Sequence, residues 1–290
     1  MTRIINTLAD IADRYDCMFL DLWGCVHNGI APFAEAVDAM HAFKAKGGTV
    51  LLLTNAPRSR HSVATQLDGM DLPRDSWDVI ATSGDSARAA MFRGVVGAKV
   101  YFIGQPHDTS FFDPLNLIDN PATITQVPLD QADGIVCCGP FDPSADPDTY
   151  RPDFLYAKTK GLKLLCANPD IVVDRGDTRE WCAGALAQLY TDMGGESLYF
   201  GKPHPPIYDL ARRRLRALGL DIPDDRILCV GDGIVTDVPG AIGENLDSLY
   251  ITGGLARAET KTDIQPDPAA LKAHLNAANM TPTYAIGALR

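Results

Sequence analysis

The sequence predicts an α/β protein: a doubly wound, Rossmann-like parallel-sheet core with a smaller α/β cap domain inserted into it. Three observations carry this expectation. Short apolar runs alternate with segments of helical period, the pattern of parallel strands joined by helical crossovers. The runs near the two ends of the chain terminate in polar groups, as strands do at the carboxyl edge of an open sheet. The middle has its own strand–helix alternation between loops rich in Pro, Asp and Gly, notably Asp142–Pro152. The expected division is residues 1–89 and 197–290 for the core and 90–196 for the cap.

For the core, strands are expected at Cys17–Leu22, Thr49–Thr54, Asp78–Thr82, Ile227–Gly231 and Ser248–Thr252. A helix at Phe33–Lys46 presents Val37, Met40 and Phe43 or Lys44, and Gly47-Gly48 stops it. A second helix follows Pro57, with Val63, Leu67 and Met70 on one face and Gly69 near its end. A third, from Pro206 to Gly219, carries Ile207, Leu210, Ala211, Leu215 and Leu218 inward; Arg212, Arg213 and Arg216 form a solvated face. In the middle, Lys99–Ile103, Gly134–Cys138 and Leu162–Ala167 read as strands, and Glu180–Met193 as a helix.

The bulk numbers narrow the function. A chain of 290 residues, 46% hydrophobic and 22% charged, is an ordinary globular composition. The net charge of −11 argues against a nucleic-acid partner, which needs a basic footprint. It also repels phosphate esters, so a site for one needs a local cation. No apolar run approaches membrane-spanning length, and the N-terminus lacks a signal-peptide core, so no membrane association is expected. Seven scattered cysteines without CxxC spacing point to reduced thiols and a cytoplasmic address.

Four segments place polar groups after an apolar run. Asp21 follows Met18-Phe19-Leu20 and precedes a glycine turn; it reads either as a nucleophile or metal ligand, or as a carboxylate capping a turn. Thr54 and Asn55 follow Leu51-Leu52-Leu53, where they suit either phosphate hydrogen bonding or an ordinary helix-capping loop. Lys202 sits in Gly201-Lys202-Pro203-His204-Pro205, a loop rigidified by proline, although a lone lysine is usually solvated. Asp232 and Asp237 lie five residues apart after Ile227–Gly231, and a hard cation such as Mg²⁺ is the economical reason for two acids there.

In this order the segments resemble the four motifs of the haloacid-dehalogenase superfamily, and more narrowly its subclass IIA, whose members include nucleotide, pyridoxal-phosphate and 4-nitrophenyl-phosphate phosphatases. Ala81-Thr82-Ser83-Gly84-Asp85, Ala167-Asn168-Pro169-Asp170 and Ala183-Gly184-Ala185-Leu186 add to the likeness, which runs from Asp16 to about Thr252. The resemblance implies that Asp21 attacks phosphorus to form an aspartyl-phosphate, with Lys202 pairing with it and with the phosphoryl group. It implies that Thr54 and Asn55 hold the transferring oxygens. Asp21, Asp232 and the backbone carbonyl of Trp23 would bind Mg²⁺, with Asp237 orienting the metal or its waters. Asn168 and Asp170 belong to the cap loop expected to face the substrate, a small phosphorylated metabolite. Caps of this kind often self-associate, which makes a homo-oligomer a reasonable expectation.

One departure matters. Efficient members carry a second aspartate two residues after the nucleophile, which protonates the leaving oxygen; here that position is Trp23. An indole N–H only donates a hydrogen bond. Losing general acid help costs roughly 10²–10⁴-fold. His27 is four residues on and titrates in the right range, but as readily reads as a loop histidine. The sequence therefore supports a slow Mg²⁺-dependent phosphatase first. A phosphate-ester-binding or regulatory protein that lost turnover comes second, and a dehalogenase last, because halide displacement needs no Mg²⁺. Tyr101, His107 and Trp181 are the candidate leaving-group contacts in the cap.

Overall fold

The computed structural model describes residues 2–114, 120–176 and 178–290. The chain opens with β1 (Arg3–Ile4), β2 (Cys17–Leu20), α1 (Ala34–Ala45), β3 (Thr49–Thr54), α2 (Arg60–Asp68), β4 (Val79–Thr82) and α3 (Ser83–Phe92). It continues with β5 (Lys99–Ile103), β6 (Thr125–Gln126), β7 (Gly134–Cys137), α4 (Arg151–Thr159), β8 (Lys163–Cys166), β9 (Val172–Arg175), β10 (Thr178–Trp181), α5 (Ala183–Asp192) and β11 (Glu196–Tyr199). It closes with α6 (Pro205–Ala217), β12 (Ile227–Gly231), α7 (Asp237–Gly243), β13 (Asp247–Ile251), α8 (Pro268–Ala278) and β14 (Tyr284–Ile286).

Two parallel sheets result. The larger has the order β1-β14-β13-β12-β2-β3-β4 and the smaller β11-β8-β7-β5-β6, and β9 and β10 form a separate antiparallel hairpin. The central strands β2, β3 and β12 are buried almost throughout, as expected of strands covered by helices on both faces. In the larger sheet the strand order reverses between β2 and β12, so a crevice opens outside their carboxyl ends. One face of that sheet packs Met40 and Phe43 of α1 against Leu52 and Val230. The other packs Ile207, Tyr208, Ala211 and Leu215 of α6 against Phe19 and Leu53. The smaller sheet has its own core around Phe154, Leu164, Leu186 and Tyr190.

The doubly wound α/β architecture with a cap is the expected one, with local corrections. The strand expected to reach Leu22 stops at Leu20, because the chain turns through Gly24. The helix expected from Glu180 starts at Ala183: Glu180 and Trp181 pair across the hairpin with Val173 and Val172. In α6 Leu218 is exposed and Tyr208 is buried in its stead, and Arg212 is tied to Asp224 and Glu244 rather than free in solvent. Helix α3 shows no helical period in the sequence because residues all round it are buried, including Ser83, Gly84, Ala87, Ala90 and Met91, so it has no apolar stripe. It is capped instead by Thr82, whose Oγ1 accepts the Asp85 N–H at 2.9 Å.

The last strand closes the larger sheet. β14 pairs with both β13 and β1, and Tyr284 is buried there, its hydroxyl bonded to Arg14. Truncation to alanine leaves a cavity on the sheet face, against the Arg14-Tyr15 segment. Tyr284→Ala is therefore expected to lower the unfolding free energy by about 3–5 kcal/mol. Urea denaturation followed by circular dichroism checks this, and a loss below about 1 kcal/mol would show that β14 is dispensable.

Candidate active site

The crevice between β2 and β12 gathers residues from five places in the chain. Asp21 extends β2 by one ladder bond, donating its N–H to the Val230 carbonyl at 2.8 Å, and its carboxylate stands at the sheet edge. Lys202, from the loop between β11 and α6, places Nζ 2.7 Å from Asp21 Oδ1 and 2.7 Å from Asp237 Oδ1. The other Asp237 oxygen accepts the Gly233 N–H at 3.0 Å, and Asp232 Oδ2 accepts the Leu255 N–H at 3.0 Å. All four side chains are buried.

Lys202 is held from behind by Asn55, whose Oδ1 accepts the Lys202 N–H at 2.7 Å while its Nδ2 donates to the Lys202 carbonyl at 3.1 Å. The same Nδ2 also donates to Asp170 Oδ1 at 2.8 Å, so Asn55 ties the lysine loop to the Asn168-Pro169-Asp170 loop. Asn55 thus faces its neighbours rather than open space. Thr54 Oγ1 accepts the Ala56 N–H at 3.2 Å, which leaves its own proton to give. Asn168 fixes the cap loop through its Oδ1, which accepts the Asp170 N–H.

Burial dominates the electrostatics. It pushes the Asp21 carboxyl up to about 7 against the pull of Lys202, and the Asp232 carboxyl well above the usual range. Asp170 is raised to about 6 for the same reason. Burial alone would depress Lys202, but Asp21, Asp237 and Asp170 outweigh it and hold the ammonium charged. Four carboxyl groups thus share a single ammonium, and three of them are held toward the neutral form; a further cation would favour their ionised forms.

The residues present fit a hard divalent ion. Asp21, Cys25 and Asp232 can bring one ligand atom each within 4.8 Å of one another. Burial keeps the Cys25 thiol protonated, and sulfur is a poor partner for Mg²⁺, so the donors of interest are the carboxylates. Glycine makes the approach possible. A Cβ on Gly24, at φ +71°, would meet Asp232 Oδ2 at 2.1 Å, and one on Gly254 would meet it at 2.0 Å. Sequence reading picked out Asp232 but not the Gly254-Leu255 backbone that holds it, because an ordinary Gly-Gly-Leu turn carries no signal.

Trp23 sits at the mouth of the crevice. Its ring meets His27 edge-on, with centroids 5.1 Å apart, and the guanidinium of Arg175, on β9 of the hairpin, lies 5.2 Å over it. Gly176 donates its N–H to the Asn28 carbonyl at 3.1 Å, so the hairpin grips the loop that carries Trp23. On one side of the indole lies the chamber of the nucleophile, about 360 Å³, lined by Asp21, Asp232, Asp170, Asn28 and Arg257. On the other lies a smaller one, about 100 Å³, lined by Arg58, Gln105, His107, Asp108 and Trp181. Among the expected cap contacts, His107 and Trp181 reach this cleft, whereas Tyr101 packs with the core of the smaller sheet. Arg58, Asp108 and Arg175 went unnoticed in the sequence, since lone charged residues in loops look alike.

His27 is almost completely buried, and its Nδ1 accepts the Gly29 N–H at 3.0 Å, which requires the neutral ring. Burial, with Arg175 nearby, lowers it from 6.5 to about 4. The unfolded chain therefore takes up a proton that the native state refuses, and the His27 contribution to stability is full above pH 6.5 and falls as pH drops to about 4. The expected loss is about 3 kcal/mol for such a shift. Replacing the ring by an acceptor that does not titrate, His27→Asn, removes this slope. The stability difference between wild type and variant should shrink by about that amount between pH 7.5 and 4. A difference that stays constant across the range would contradict a buried neutral ring.

Comparison with known proteins bears on the fold that carries these residues. Residues 18–117 match the family model of the haloacid dehalogenase-like hydrolases, and residues 199–278 match a second, HAD-hydrolase-like model. The crystal structure of a haloacid dehalogenase-like hydrolase from Brucella suis 1330 is 37% identical and superposes with a TM-score of 0.85, over 99% of this chain and 100% of that one. The 5'-nucleotidase YutF of Bacillus subtilis (strain 168) is 27% identical over 256 residues, 88% of this chain and 93% of that protein. The glycerol phosphate phosphatase of Mycobacterium tuberculosis, solved in complex with magnesium, is 25% identical with a TM-score of 0.62, over 84% of this chain and 70% of that one. With both halves of the larger sheet matched and the whole length superposed, the chain belongs to the haloacid dehalogenase-like hydrolase family.

Proposed function

We propose that this chain is a Mg²⁺-dependent phosphatase that hydrolyses a small phosphomonoester through an aspartyl-phosphate on Asp21. The observation that carries the reading is the Lys202 ammonium, held 2.7 Å from both Asp21 and Asp237 at the switch point of the sheet, with Asp232 facing Asp21. Lys202 engages Asp21 Oδ1 and leaves Oδ2 to attack phosphorus. The phosphorus–ester bond then breaks, and water later releases phosphate from the carboxylate. Thr54 offers its hydroxyl to a phosphoryl oxygen. Asn55 contributes indirectly, by fixing Lys202 and by docking Asp170. The names of the nucleotidase and glycerol phosphate phosphatase relatives support a phosphomonoester as substrate.

Asp21, Asp232 and the Trp23 carbonyl would hold Mg²⁺, with Asp237 acting through Lys202 and the waters of the ion. When bound, the ion supplies positive charge to the phosphoryl oxygens, where this acidic protein otherwise has only Lys202. The proposed assignment of residues 1–89 and 197–290 to the core and 90–196 to the cap follows the two sheets. No helix among the described residues is long and apolar enough to cross a membrane, and a cytoplasmic setting suits the seven unpaired, buried thiols.

Trp23 shapes the rate. It offers no proton to the leaving oxygen, and His27 does not replace it, being buried, neutral and engaged with Gly29. Turnover of esters with poor leaving groups is therefore slow. The grip of Arg175 on Trp23 favours a second reading, a protein that binds phosphate esters under a docked cap without turning them over. Calorimetry with Mg²⁺ and ester that shows binding without released phosphate would select that reading.

Three outcomes test the first. Asp21→Asn should abolish phosphate release, by about 10³-fold or more, as should removal of Mg²⁺ with a chelator; full activity in either case sinks the mechanism. Trp23→Asp should raise the rate on glycerol 3-phosphate by about tenfold or more, and much less on 4-nitrophenyl phosphate, whose leaving group needs no proton. Equal gains on the two esters would contradict the account of Trp23, and a thermal melt separates this from any loss of packing.

A further inference from the structure

The smaller chamber beyond Trp23, which His107 and Trp181 also line, holds two charged groups of opposite sign whose hydrogen bonding is incomplete. Arg58 enters it from the loop after β3. Its backbone is fixed by the Thr82 hydroxyl, which donates to the Arg58 carbonyl at 2.7 Å, and by the close approach of Gly84. Its guanidinium uses Nη1 on Gln66 Oε1 at 3.0 Å, whereas Nε is buried without a partner. Among the described residues Arg58 forms no ion pair, and burial lowers its proton affinity. The Nε–Nη2 edge of the fork is thus the free one, and that edge matches a carboxylate.

Asp108 enters from the opposite wall, on the 3-10 helix Pro106–Phe112 that follows β5. Its side chain is only 5% exposed, and Oδ2 accepts the Gln105 N–H at 3.0 Å. Oδ1 has no hydrogen-bond partner; His107 Nε2 is 3.4 Å away without the geometry for a bond. Asp108 offsets the charge of Arg58 across the chamber but gives it no hydrogen bond, so a bare N–H and a bare acceptor are left for a ligand to satisfy. The chamber opens toward the nucleophile past Trp23, Asp170 and Val173, which line both spaces. Its volume of about 100 Å³ suits one compact polar group.

We propose that this chamber is the leaving-group site, where Arg58 reads a carboxylate and Asp108 an adjoining hydroxyl or ammonium. The substrates are then phosphomonoesters of small hydroxy- or amino-carboxylic acids. The inference rests on the phosphatase reading above and adds to it the class of ester. Because Arg58 comes from the larger sheet and Asp108 from the smaller, such a ligand also bridges the two and holds the cap down. Trp23 forms the sill it crosses, in place of the aspartate that would put a further negative charge beside an anionic substrate.

The test compares 3-phosphoglycerate and O-phosphoserine with glycerol 3-phosphate, which has the same carbon chain without the carboxylate. With Mg²⁺, the wild-type protein should favour a carboxylated ester by about tenfold or more in kcat/KM, the worth of a charge-assisted hydrogen bond. Which of the two it prefers distinguishes hydroxyl from ammonium. Arg58→Gln should bring that ratio toward one, and Asp108→Asn should narrow it. If Arg58→Gln melts well below wild type, Arg58→Lys, which keeps the charge but loses the planar fork, carries the comparison. Glycerol 3-phosphate used as well as 3-phosphoglycerate, or an equal loss on all esters in the Arg58 variants, overturns the inference while leaving the phosphatase intact. If wild type hydrolyses no ester, calorimetric binding of 3-phosphoglycerate against glycerol 3-phosphate decides in the same way. Selective binding without turnover upholds the chamber and removes the phosphatase, and absence of selectivity removes the chamber.

Discussion

The bond set around Lys202 is the constraint on which the site depends. A buried ammonium is tolerable only with its charge answered at close range, and Asp21 and Asp237 answer it symmetrically. These three residues lie just after β2, on the loop before α6 and at the start of α7, so satisfying the lysine aligns three separate segments around the larger sheet. Asn55 closes the arrangement by taking both backbone groups of Lys202, which only a side-chain amide at the end of β3 is placed to do. The carboxyl groups around the site outnumber this one ammonium, and the proposed Mg²⁺ would answer the remainder.

The cap is tied to this centre at two points of different character. Asp170 meets Asn55 through a hydrogen bond with one partner charged, so the lysine clamp and the cap loop share an amide. Arg175 meets Trp23 through the face of an indole, a softer interaction that tolerates sliding. Trp23, at the position where the family resemblance expects an acid, supplies the surface on which the hairpin rests. On the proposed mechanism, an indole in place of an aspartate at this position would exchange proton transfer for docking, and the contact with Arg175 is the docking half.

Much of this architecture was legible in the sequence, because buried parallel strands read as apolar runs and their polar ends stand out against them. Asp21, Lys202, Asp232 and Asp237 were singled out on that ground, and the structure brings them together. Three kinds of element were not legible. β1 and β14 are two and three residues long, too short for any period to register. The hairpin of β9 and β10 is half exposed and carries Asp174, Arg175, Arg179 and Glu180, which pair across it rather than alternate with apolar residues. α3 is buried on every side, so it lacks the polar face that announces a helix. The second chamber was hidden for another reason. Arg58 and Asp108 are 50 positions apart and acquire meaning only when the two sheets close on each other.

The position of the tryptophans carries one more consequence. The chain has three: Trp77 is buried in the larger core with Arg74 stacked on it, while Trp23 and Trp181 line the cleft between the sheets. Indole emission depends on local polarity and on nearby charged groups, and both change for Trp23 whenever Arg175 lifts away. The protein thus contains its own optical gauge of cap position, with Trp77 as a constant background. Any displacement of the hairpin from Trp23 would therefore register in the emission of the unlabelled chain.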